Sequence, residues 1–339
     1  MTTFKEIFNC FAPLLIDGAM GSNLMMRGLE AGQAPEELLL SAPDLIKGLH
    51  RDFIAAGSEL ILTNSFGGNA RRLALHGLET KVGAVNALAA RLAREAAQES
   101  GRPKTLIAGS MGPTGDLLEP LGGLSRRKAV QIFADQAKAL GDGGVDILWI
   151  ETLAAEDEIL ASVEGAAKAG LPLALTLSFD SAGKTMMGLR PGAFAALAET
   201  LPLVAYGANC GAGLSDLALV MQAMAANRTG ERALIAKGNC GIPKFEEGQV
   251  RYDGTPELMG IYANLMRALG VDLIGGCCGT TPQHISAMRA ALDAPIPTDT
   301  PPIDRTLIET LLGSSSVTDQ PARTRRNRRL ERVVSNRVQ

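Results

Sequence analysis

The sequence predicts an α/β protein whose body is a single (β/α)8 barrel, the TIM barrel, followed by a C-terminal extension. Two observations support this prediction. Eight short apolar runs recur along the chain, which suits parallel strands that are buried on both faces. Ala- and Leu-rich stretches with helical spacing lie between most of these runs, and repeated strand–helix alternation of this kind is typical of the barrel.

The predicted strands are, in chain order, Leu14-Leu15-Ile16, Leu60-Ile61-Leu62, Thr105-Leu106-Ile107-Ala108, Ile147-Leu148-Trp149-Ile150, Leu173-Ala174-Leu175-Thr176-Leu177, Val204-Ala205-Tyr206, Ala233-Leu234-Ile235-Ala236 and Leu273-Ile274. The clearest predicted helices are Val85 to Ala97, Ala129 to Leu140, Ile159 to Ala169, Phe194 to Leu201, Leu217 to Ala226 and Leu258 to Leu269. An open doubly wound sheet is the alternative. It is disfavoured because no Gly-x-Gly-x-x-Gly turn follows the first strand.

Composition narrows the class of protein. The chain has 339 residues, 46% of them hydrophobic, which is enough to bury a large core. It contains no apolar run of about eighteen residues, so we expect no membrane-spanning helix. The N-terminus lacks the pattern of a signal peptide, and five cysteines are too few for a disulfide scaffold of this size. We therefore expect a cytoplasmic protein, in which clustered cysteines bind a metal or do chemistry.

Charge and composition also divide the chain into three predicted segments. Residues 321–339 hold seven arginines and one glutamate, about +6, so the remainder carries about −9 of the total of −3. That remainder has no basic stripe, and nucleic acid is not the expected partner. We predict a barrel domain over residues 1–292, a Pro-rich segment with a short helix near Asp304 to Leu312 over 293–313, and a disordered basic tail over 314–339. The sequence does not indicate an oligomeric state.

The cysteines at the predicted strand ends suggest a metal site. Cys277 and Cys278 follow the eighth strand, and Cys210 follows the sixth, so all three face the same mouth of the barrel. Three thiolates with one open position are typical of a catalytic zinc site rather than a closed structural one. Ordinary packing is the alternative, and it is the expectation for Cys10. Cys240, at the end of the seventh strand, is either a fourth ligand or a bystander.

The strand-end motifs resemble those of the homocysteine S-methyltransferase family, which includes betaine–homocysteine methyltransferase and the homocysteine-binding module of cobalamin-dependent methionine synthase. The similarity runs from about residue 10 to residue 292. The matching motifs are Asp17-Gly18-Ala19-Met20-Gly21, Thr63-Asn64-Ser65-Phe66, Gly112-Pro113-Thr114-Gly115, Glu151-Thr152, Gly207-Ala208-Asn209-Cys210 and Gly275-Gly276-Cys277-Cys278-Gly279.

The resemblance implies that Cys210, Cys277 and Cys278 hold Zn²⁺ and that the sulfur of homocysteine takes the fourth position. The activated thiolate then attacks a donor methyl group and forms methionine, which would place the protein in one-carbon metabolism and methionine biosynthesis. The metal lowers the pKa of the substrate thiol, so no catalytic residue of the protein is needed beside it.

The same resemblance suggests how the amino-acid part of homocysteine is held. Glu151 is expected to pair with the substrate ammonium group. Asp17 and the backbone N–H groups from Gly18 onward are expected to help grip the amino acid, and Asn64 and Ser65 to add hydrogen bonds. The alternatives are a salt bridge to a neighbouring strand for Glu151 and a helix cap for Asp17.

The methyl donor is less clearly specified. An onium donor such as betaine needs aromatic rings for cation–π contact, yet the loop from Glu30 to Pro35 has no tryptophan and no tyrosine follows Phe66. The only tryptophan, Trp149, is expected in the core. A small methyl donor, betaine or a related onium compound, is one prediction, and a separate methylcorrinoid protein is the alternative. A non-catalytic zinc sensor or structural protein with a closed four-cysteine site is the alternative of another class.

Overall fold

The computed structural model describes residues 4–8, 13–30, 32–241, 243–246, 249–295 and 302–317. Ten strands are described: β1 Leu14–Leu15, β2 Leu60–Leu62, β3 Leu106–Met111, β4 Ile147–Leu153, β5 Leu173–Leu177, β6 Ala205–Cys210, β7 Ala233–Gly238, β8 Pro243–Glu246, β9 Gln249–Tyr252 and β10 Leu273–Gly276. Cys10 and most of the predicted basic tail lie outside the described residues.

The helices alternate with the strands. They are α1 Phe4–Phe8, α2 Met20–Met26, α3 Leu38–Ser41, α4 Pro43–Ala55, α5 Ala70–Leu73, α6 Val82–Glu99, α7 Arg126–Asp142, α8 Glu156–Ala167, α9 Pro191–Ala198, α10 Leu214–Ala226, α11 Pro256–Ala268, α12 Pro282–Asp293 and α13 Arg305–Leu312. Short 3₁₀ turns lie at Pro35–Glu37, Ala74–His76 and Glu79–Lys81. No helix of the described chain is long and apolar enough to cross a membrane.

Eight parallel strands form a nearly closed barrel, which confirms the predicted (β/α)8 fold. The strand order is β1-β10-β7-β6-β5-β4-β3-β2. A parallel bridge between Ile16 and Leu60 joins the two ends of this sheet. The remaining strands, β8 and β9, form a separate antiparallel hairpin. This hairpin was not predicted, and it lies between the seventh barrel strand, β7, and α11.

Apolar side chains on alternate strand positions fill the barrel interior. Leu14, Ile147, Trp149 and Ile235 belong to this inner cluster, and Trp149 is completely buried, as predicted. Phe4 of α1 joins the same cluster. Because side chains alternate across a strand, the next inward positions toward the carboxyl ends of β3, β4 and β7 belong to the polar residues Ser110, Glu151 and Lys237. The inner cluster therefore forms the floor beneath a polar layer.

The segment after α12 crosses the outside of the barrel. Helix α13 packs against α10 and α11. Beyond it, Asp216 in the first turn of α10 accepts hydrogen bonds from the Ser315 hydroxyl and from the backbone N–H and hydroxyl of Ser316. The last described residue, Val317, lies close to Gly183 in the segment between β5 and α9: a Cβ on Gly183 would be 2.9 Å from Val317 Cγ1. The described chain therefore ends at the face formed by the carboxyl ends of the strands.

Candidate active site

Three thiols meet at the carboxyl ends of β6 and β10. Cys210 Sγ is 2.8 Å from Cys277 Sγ and 3.9 Å from Cys278 Sγ, and the three sulfurs lie within 4.8 Å of one another. Sulfurs bound tetrahedrally to zinc at about 2.3 Å are separated by roughly 3.8 Å. The group therefore fits one zinc-sized ion after a small widening between Cys210 and Cys277.

Unusual backbone geometry brings the thiols together. Cys210 has φ of 58°, in the left-handed region that side-chain-bearing residues seldom adopt. The backbone N–H of Cys277 donates to the carbonyl oxygen of Gly238 on β7 at 2.6 Å. A Cβ on Gly276 would lie 2.2 Å from the Thr280 side chain, so only glycine allows the chain to turn there. Gly276 is therefore needed beside the paired cysteines because any larger residue would clash with Thr280.

The three thiols influence one another's pKa, so they do not all ionise without a cation. Hydrogen bonds from Cys210 and Cys277 lower the pKa of Cys278 below its ordinary value. The hydrogen bonds that Cys210 makes to the other two sulfurs, together with its burial, raise its own pKa well above the ordinary value. The group therefore accommodates one thiolate easily and opposes a second. A bound divalent cation would be needed to hold all three as thiolates.

A buried charge cluster lies in the same cavity. Lys237 Nζ is 3.8 Å from Asp17 Oδ1 and 3.9 Å from Glu151 Oε2. The Leu62 N–H donates to Asp17 Oδ2 at 2.8 Å, and the Ser110 hydroxyl donates to Glu151 Oε1 at 2.5 Å. Two carboxyl groups face one ammonium group, which leaves the cluster with an excess of acid.

Burial acts on the pKa of all three groups. It raises the pKa of Asp17 to about 7, although Lys237 and the Leu62 N–H oppose the shift. It also raises the pKa of Glu151, against the effects of Lys237 and Ser110. Burial alone would lower the pKa of Lys237, but the two carboxylates outweigh it and the pKa is raised. Lys237 therefore stays protonated, and its charge limits how far burial raises the pKa of the two acids.

Asn64 and Ser65 lie on the cavity wall, but their side chains already have partners in the protein. The Asn64 amide donates to the carbonyl oxygen of Pro35 at 2.8 Å. The Ser65 hydroxyl donates to the carbonyl oxygen of Ser110 at 2.8 Å and lies 2.6 Å from the Thr63 hydroxyl. These contacts hold the loop after β2 in place, and direct hydrogen bonds from either side chain to a substrate remain a prediction.

The Cys240 thiol points away from the other three. Its Sγ lies 3.0 Å from the carbonyl oxygen of Gly254 and 3.1 Å from His284 Nε2. The backbone N–H of Thr281 donates to His284 Nδ1 at 3.0 Å, so the neutral ring carries its proton on Nε2. Burial raises the pKa of Cys240 to about 11. In this arrangement Cys240 is a protonated thiol outside the group of three sulfurs.

The thiols and the charge cluster line one cavity of about 500 Å³. Its wall also includes Phe66, which is 37% exposed, and Glu36. The Gly67 N–H donates to Glu36 Oε1 at 2.6 Å. Burial raises the pKa of Glu36, while backbone N–H groups and the charges of Arg72 and His76 oppose the shift. The cavity thus has an aromatic and acidic surface in addition to its thiols.

All eight predicted site residues line this cavity: Asp17, Gly18, Asn64, Ser65, Glu151, Cys210, Cys277 and Cys278. Their roles remain predictions. Sequence reasoning gave no role to Lys237 or Ser110 within the cavity, or to Tyr252 beside Cys278. For Lys237 a signal was present, since it is a lone charged residue two positions after an inward-facing apolar residue of a buried strand.

Comparison with known proteins places these features in a family. The homocysteine S-methyltransferase family model matches residues 14–292. Methionine synthase from Mycobacterium leprae is 30% identical over 293 residues, which cover 81% of this chain and 24% of that protein. Methionine synthase from Mycobacterium tuberculosis is 29% identical with the same coverage. The chain thus spans about a quarter of the length of these curated relatives.

Solved structures agree with the sequence comparison. The metallated form of the homocysteine methyltransferase MmuM from Escherichia coli superposes with a TM-score of 0.70 at 27% identity, covering 84% of this chain and 98% of that chain. The oxidised form of the same enzyme gives a TM-score of 0.69 at 27% identity, covering 82% and 95%. With a family match that covers most of its length and a cavity built from the motifs of that match, this chain belongs to the homocysteine S-methyltransferase family.

Proposed function

We propose that the protein is a zinc-dependent S-methyltransferase that converts homocysteine to methionine. The observation that carries this proposal is the open group formed by Cys210, Cys277 and Cys278, which faces a cavity containing an excess of carboxylates. Thiolate sulfur is a ligand that selects zinc. Bound there, Zn²⁺ would lower the pKa of an incoming thiol, so that homocysteine is held as a thiolate near neutral pH.

The charge cluster supports an amino-acid substrate. The ammonium group of homocysteine would pair with Glu151 and lie near Asp17, while the charge of Lys237 opposes protonation of both acids. Ser110 fixes the orientation of Glu151 through its hydroxyl. Placing the ammonium group in this way directs the substrate sulfur toward the thiols. Such fixed placement is a large part of the rate advantage that an enzyme can supply.

In the methyl transfer, a lone pair of the homocysteine sulfur forms the new S–CH₃ bond while the bond from the methyl carbon to the donor breaks. The electron pair of that bond leaves with the donor. The products are methionine, a neutral thioether, and the demethylated donor. The protein supplies no proton to this step, which agrees with a cavity in which the acids are used for binding.

A small onium compound is the donor that we propose first. Phe66 presents a partly exposed ring in the cavity, and the Glu36 carboxyl lines the same wall. An aromatic face and a carboxylate both attract an ammonium or sulfonium cation. Betaine and related onium compounds carry their transferable methyl group on such a cation. The cavity volume of about 500 Å³ accommodates homocysteine together with a donor of this size.

A methyl group carried by a separate methylcorrinoid protein is the second candidate, and a different observation favours it. Large apolar side chains are exposed on the segments that follow the barrel strands. They are Met25, Met26, Leu75, Leu117, Leu121, Met186 and Met187. Exposed apolar surface favours protein–protein contact. The methionine synthase relatives are also about four times longer than this chain's matching region.

A donor panel tests the proposed function. The full chain with zinc and homocysteine would be mixed in turn with betaine, dimethylsulfoniopropionate, S-methylmethionine or a methylcorrinoid protein, and methionine would be measured by mass spectrometry. We expect one donor to give turnover that the Cys278→Ala variant lacks. Full turnover by Cys278→Ala would overturn the mechanism.

Zinc coordination separates the enzyme from a non-catalytic zinc protein. X-ray absorption at the zinc edge, measured before and after homocysteine is added, should show one additional sulfur ligand. An unchanged spectrum with four sulfur ligands throughout would favour the closed structural site. The Cys240→Ala variant is the matched control, because its thiol contacts Gly254 and His284 rather than the other three sulfurs.

A further inference from the structure

Arg72 brings to the cavity wall a guanidinium group that has no ion-pair partner. Two side chains of this wall, Lys237 and Arg72, carry a lasting positive charge. Lys237 faces two carboxylates, whereas the Arg72 guanidinium forms no ion pair and no hydrogen bond within the described part of the chain. The preceding Arg71 lines a different cavity, where its Nε lies 2.5 Å from Asp116 Oδ2. Arg72 is therefore the cation of this wall that is available to an anionic ligand.

The backbone around Arg72 determines where its side chain lies. Asn69 precedes helix α5, and its Oδ1 accepts from the backbone N–H groups of Arg71 and Arg72 at 3.1 and 3.0 Å. Its Nδ2 donates to the carbonyl oxygen of Pro113 at 3.2 Å, which joins α5 to the loop after β3. In that loop, a Cβ on Gly115 would lie 3.2 Å from Arg72 Nη1. The guanidinium group therefore lies against this loop.

The same loop supports the Phe66 ring. A Cβ on Gly112 would lie 2.7 Å from Phe66 Cε2, so the ring lies against Gly112 as the guanidinium group lies against Gly115. These two glycines are three residues apart, which separates their Cα atoms by at most about 11 Å. A cation within about 6 Å of the ring centroid and a carboxylate within roughly 3 Å of a guanidinium nitrogen can therefore belong to one small molecule.

The methyl donor, rather than homocysteine, is the ligand whose carboxylate fits this arrangement. In the proposed reaction, homocysteine is held through Glu151 and the three thiols, at the carboxyl ends of β4, β6 and β10. Glu36, Phe66 and Arg72 belong instead to the segments that follow β1 and β2. Glu36 and Phe66 attract the onium group, and the Glu36 carboxylate repels a second carboxylate. The carboxylate of such a donor is therefore directed to Arg72.

We propose that Arg72 binds the carboxylate of the methyl donor and so selects zwitterionic donors, in which one small molecule carries both an onium group and a carboxylate. The inference rests on the proposed function, because it names the class of donor for that reaction. A guanidinium group presents N–H donors in a fork that matches a carboxylate, and such charge-assisted pairs are stronger than neutral hydrogen bonds. An onium compound without a carboxylate would leave Arg72 unpaired and would be repelled by its charge.

Binding measured by ligand-observed NMR tests the proposal without turnover. The zinc-loaded full chain and its Arg72→Gln variant are titrated with betaine and with betaine amide, which has the same onium group but no carboxylate. Dimethylsulfoniopropionate and its amide form a second pair. Saturation transfer to the methyl protons gives each Kd. The wild type should bind each acid roughly tenfold more tightly than its amide, the low end for a charged hydrogen bond because Arg72 is exposed. Arg72→Gln should remove this preference.

Three controls identify the source of the preference. Arg71→Gln makes the same change one residue earlier, on a side chain that pairs with Asp116, and its acid-to-amide ratio should equal that of the wild type. Arg72→Lys keeps the charge but loses the fork, so it should retain part of the preference. Homocysteine is the control ligand, and its Kd should be the same for Arg72→Gln and the wild type.

The outcomes that contradict the proposal are distinct. An unchanged ratio in Arg72→Gln would overturn it, and so would equal or undetectable binding of acid and amide by the wild type. If Arg72→Gln lost homocysteine binding as strongly as betaine binding, Arg72 would serve the carboxylate of homocysteine instead. The ratio remains measurable when no donor supports turnover, and turnover with a methylcorrinoid protein can occur without any such ratio. The two proposals therefore fail separately.

Discussion

The replacement Lys237→Met tests whether the buried charge cluster is organised as the structure indicates. Lys237 has two carboxylate partners near 4 Å, and its side chain is 4% exposed. Each contact is worth about 4 kcal/mol before desolvation at an effective dielectric constant of 20. Methionine keeps the length of the side chain but leaves two buried acids without a counter-charge. Breaking a buried ion pair in this way typically costs 3–5 kcal/mol, which for a large domain lowers Tm by roughly 6–10 °C.

The loss of folding stability in Lys237→Met should also depend on pH. Burial already holds the pKa of Asp17 near 7, above its usual value of 3.8, so the folded protein binds this proton more tightly than the unfolded chain does. Stability from this source is present below pH 3.8 and is lost as pH rises through about 7. Removing Lys237 raises the folded pKa further, because Lys237 opposes the shift. The destabilisation by Lys237→Met should therefore be larger at pH 9 than at pH 6.

Urea unfolding at the two pH values measures the effect, with Lys138→Met as the matched control. Lys138 is 74% exposed and pairs with Asp142 on the surface of α7, so its replacement should change stability by less than about 0.5 kcal/mol. The double variant Lys237→Met with Asp17→Asn should regain part of the loss, since it removes one unpaired acid. Equal stability of Lys237→Met and the wild type at both pH values would refute the reasoning.

Three other predictions address separate residues. Cys240→Ala should retain a full equivalent of zinc by elemental analysis, because its thiol is directed elsewhere, whereas loss of the metal would identify it as a ligand. His50→Leu should remove an acid-sensitive contribution of roughly 3 kcal/mol between pH 7 and pH 4. Burial lowers the pKa of His50 from 6.5 to about 4, so its stabilising effect is complete above pH 6.5 and is lost on acidification. If the difference in urea midpoint between His50→Leu and the wild type were the same at pH 7 and pH 4, this prediction would be contradicted. Gly18→Ala should cost about 1–3 kcal/mol, because its Cβ would lie 2.6 Å from the Thr280 carbonyl oxygen. Gly21→Ala, where nothing lies within 4 Å, is the control, and similar thermal stability of the two variants would contradict the clash.

The barrel strands could be predicted from the sequence because each is an uninterrupted apolar run. Buried parallel strands need apolar side chains on both faces, and this pattern is strong even in a strand of three residues such as Leu60–Leu62. Helix α4 was not singled out. It carries His50 and several charged residues, and its apolar stripe of Ile46, Leu49 and Phe53 is visible only when periodicity is considered.

The thiol group could be predicted because cysteines beside glycines at strand ends are an unusual combination. The role of Lys237 could not be predicted in the same way. Its partners Asp17 and Glu151 follow other strands and meet it only when the barrel closes. Tyr252 was missed for a related reason. It belongs to a hairpin that is inserted between two strand–helix units of the barrel. The repeated strand–helix pattern does not predict such an insertion.

The contacts of α1 and of Ser315–Ser316 determine where a fusion partner or an immobilisation tag would interfere. Helix α1 sits beneath the barrel floor, with Lys5 3.3 Å from Asp272, just before β10. Val317, in contrast, lies beside the segment that follows β5. Cargo attached beyond residue 317 is therefore tethered near the cavity mouth at a high local concentration. An affinity tag at the amino-terminal end leaves the mouth clear, and polyhistidine is best placed there because it would otherwise compete with the three thiols for a metal ion.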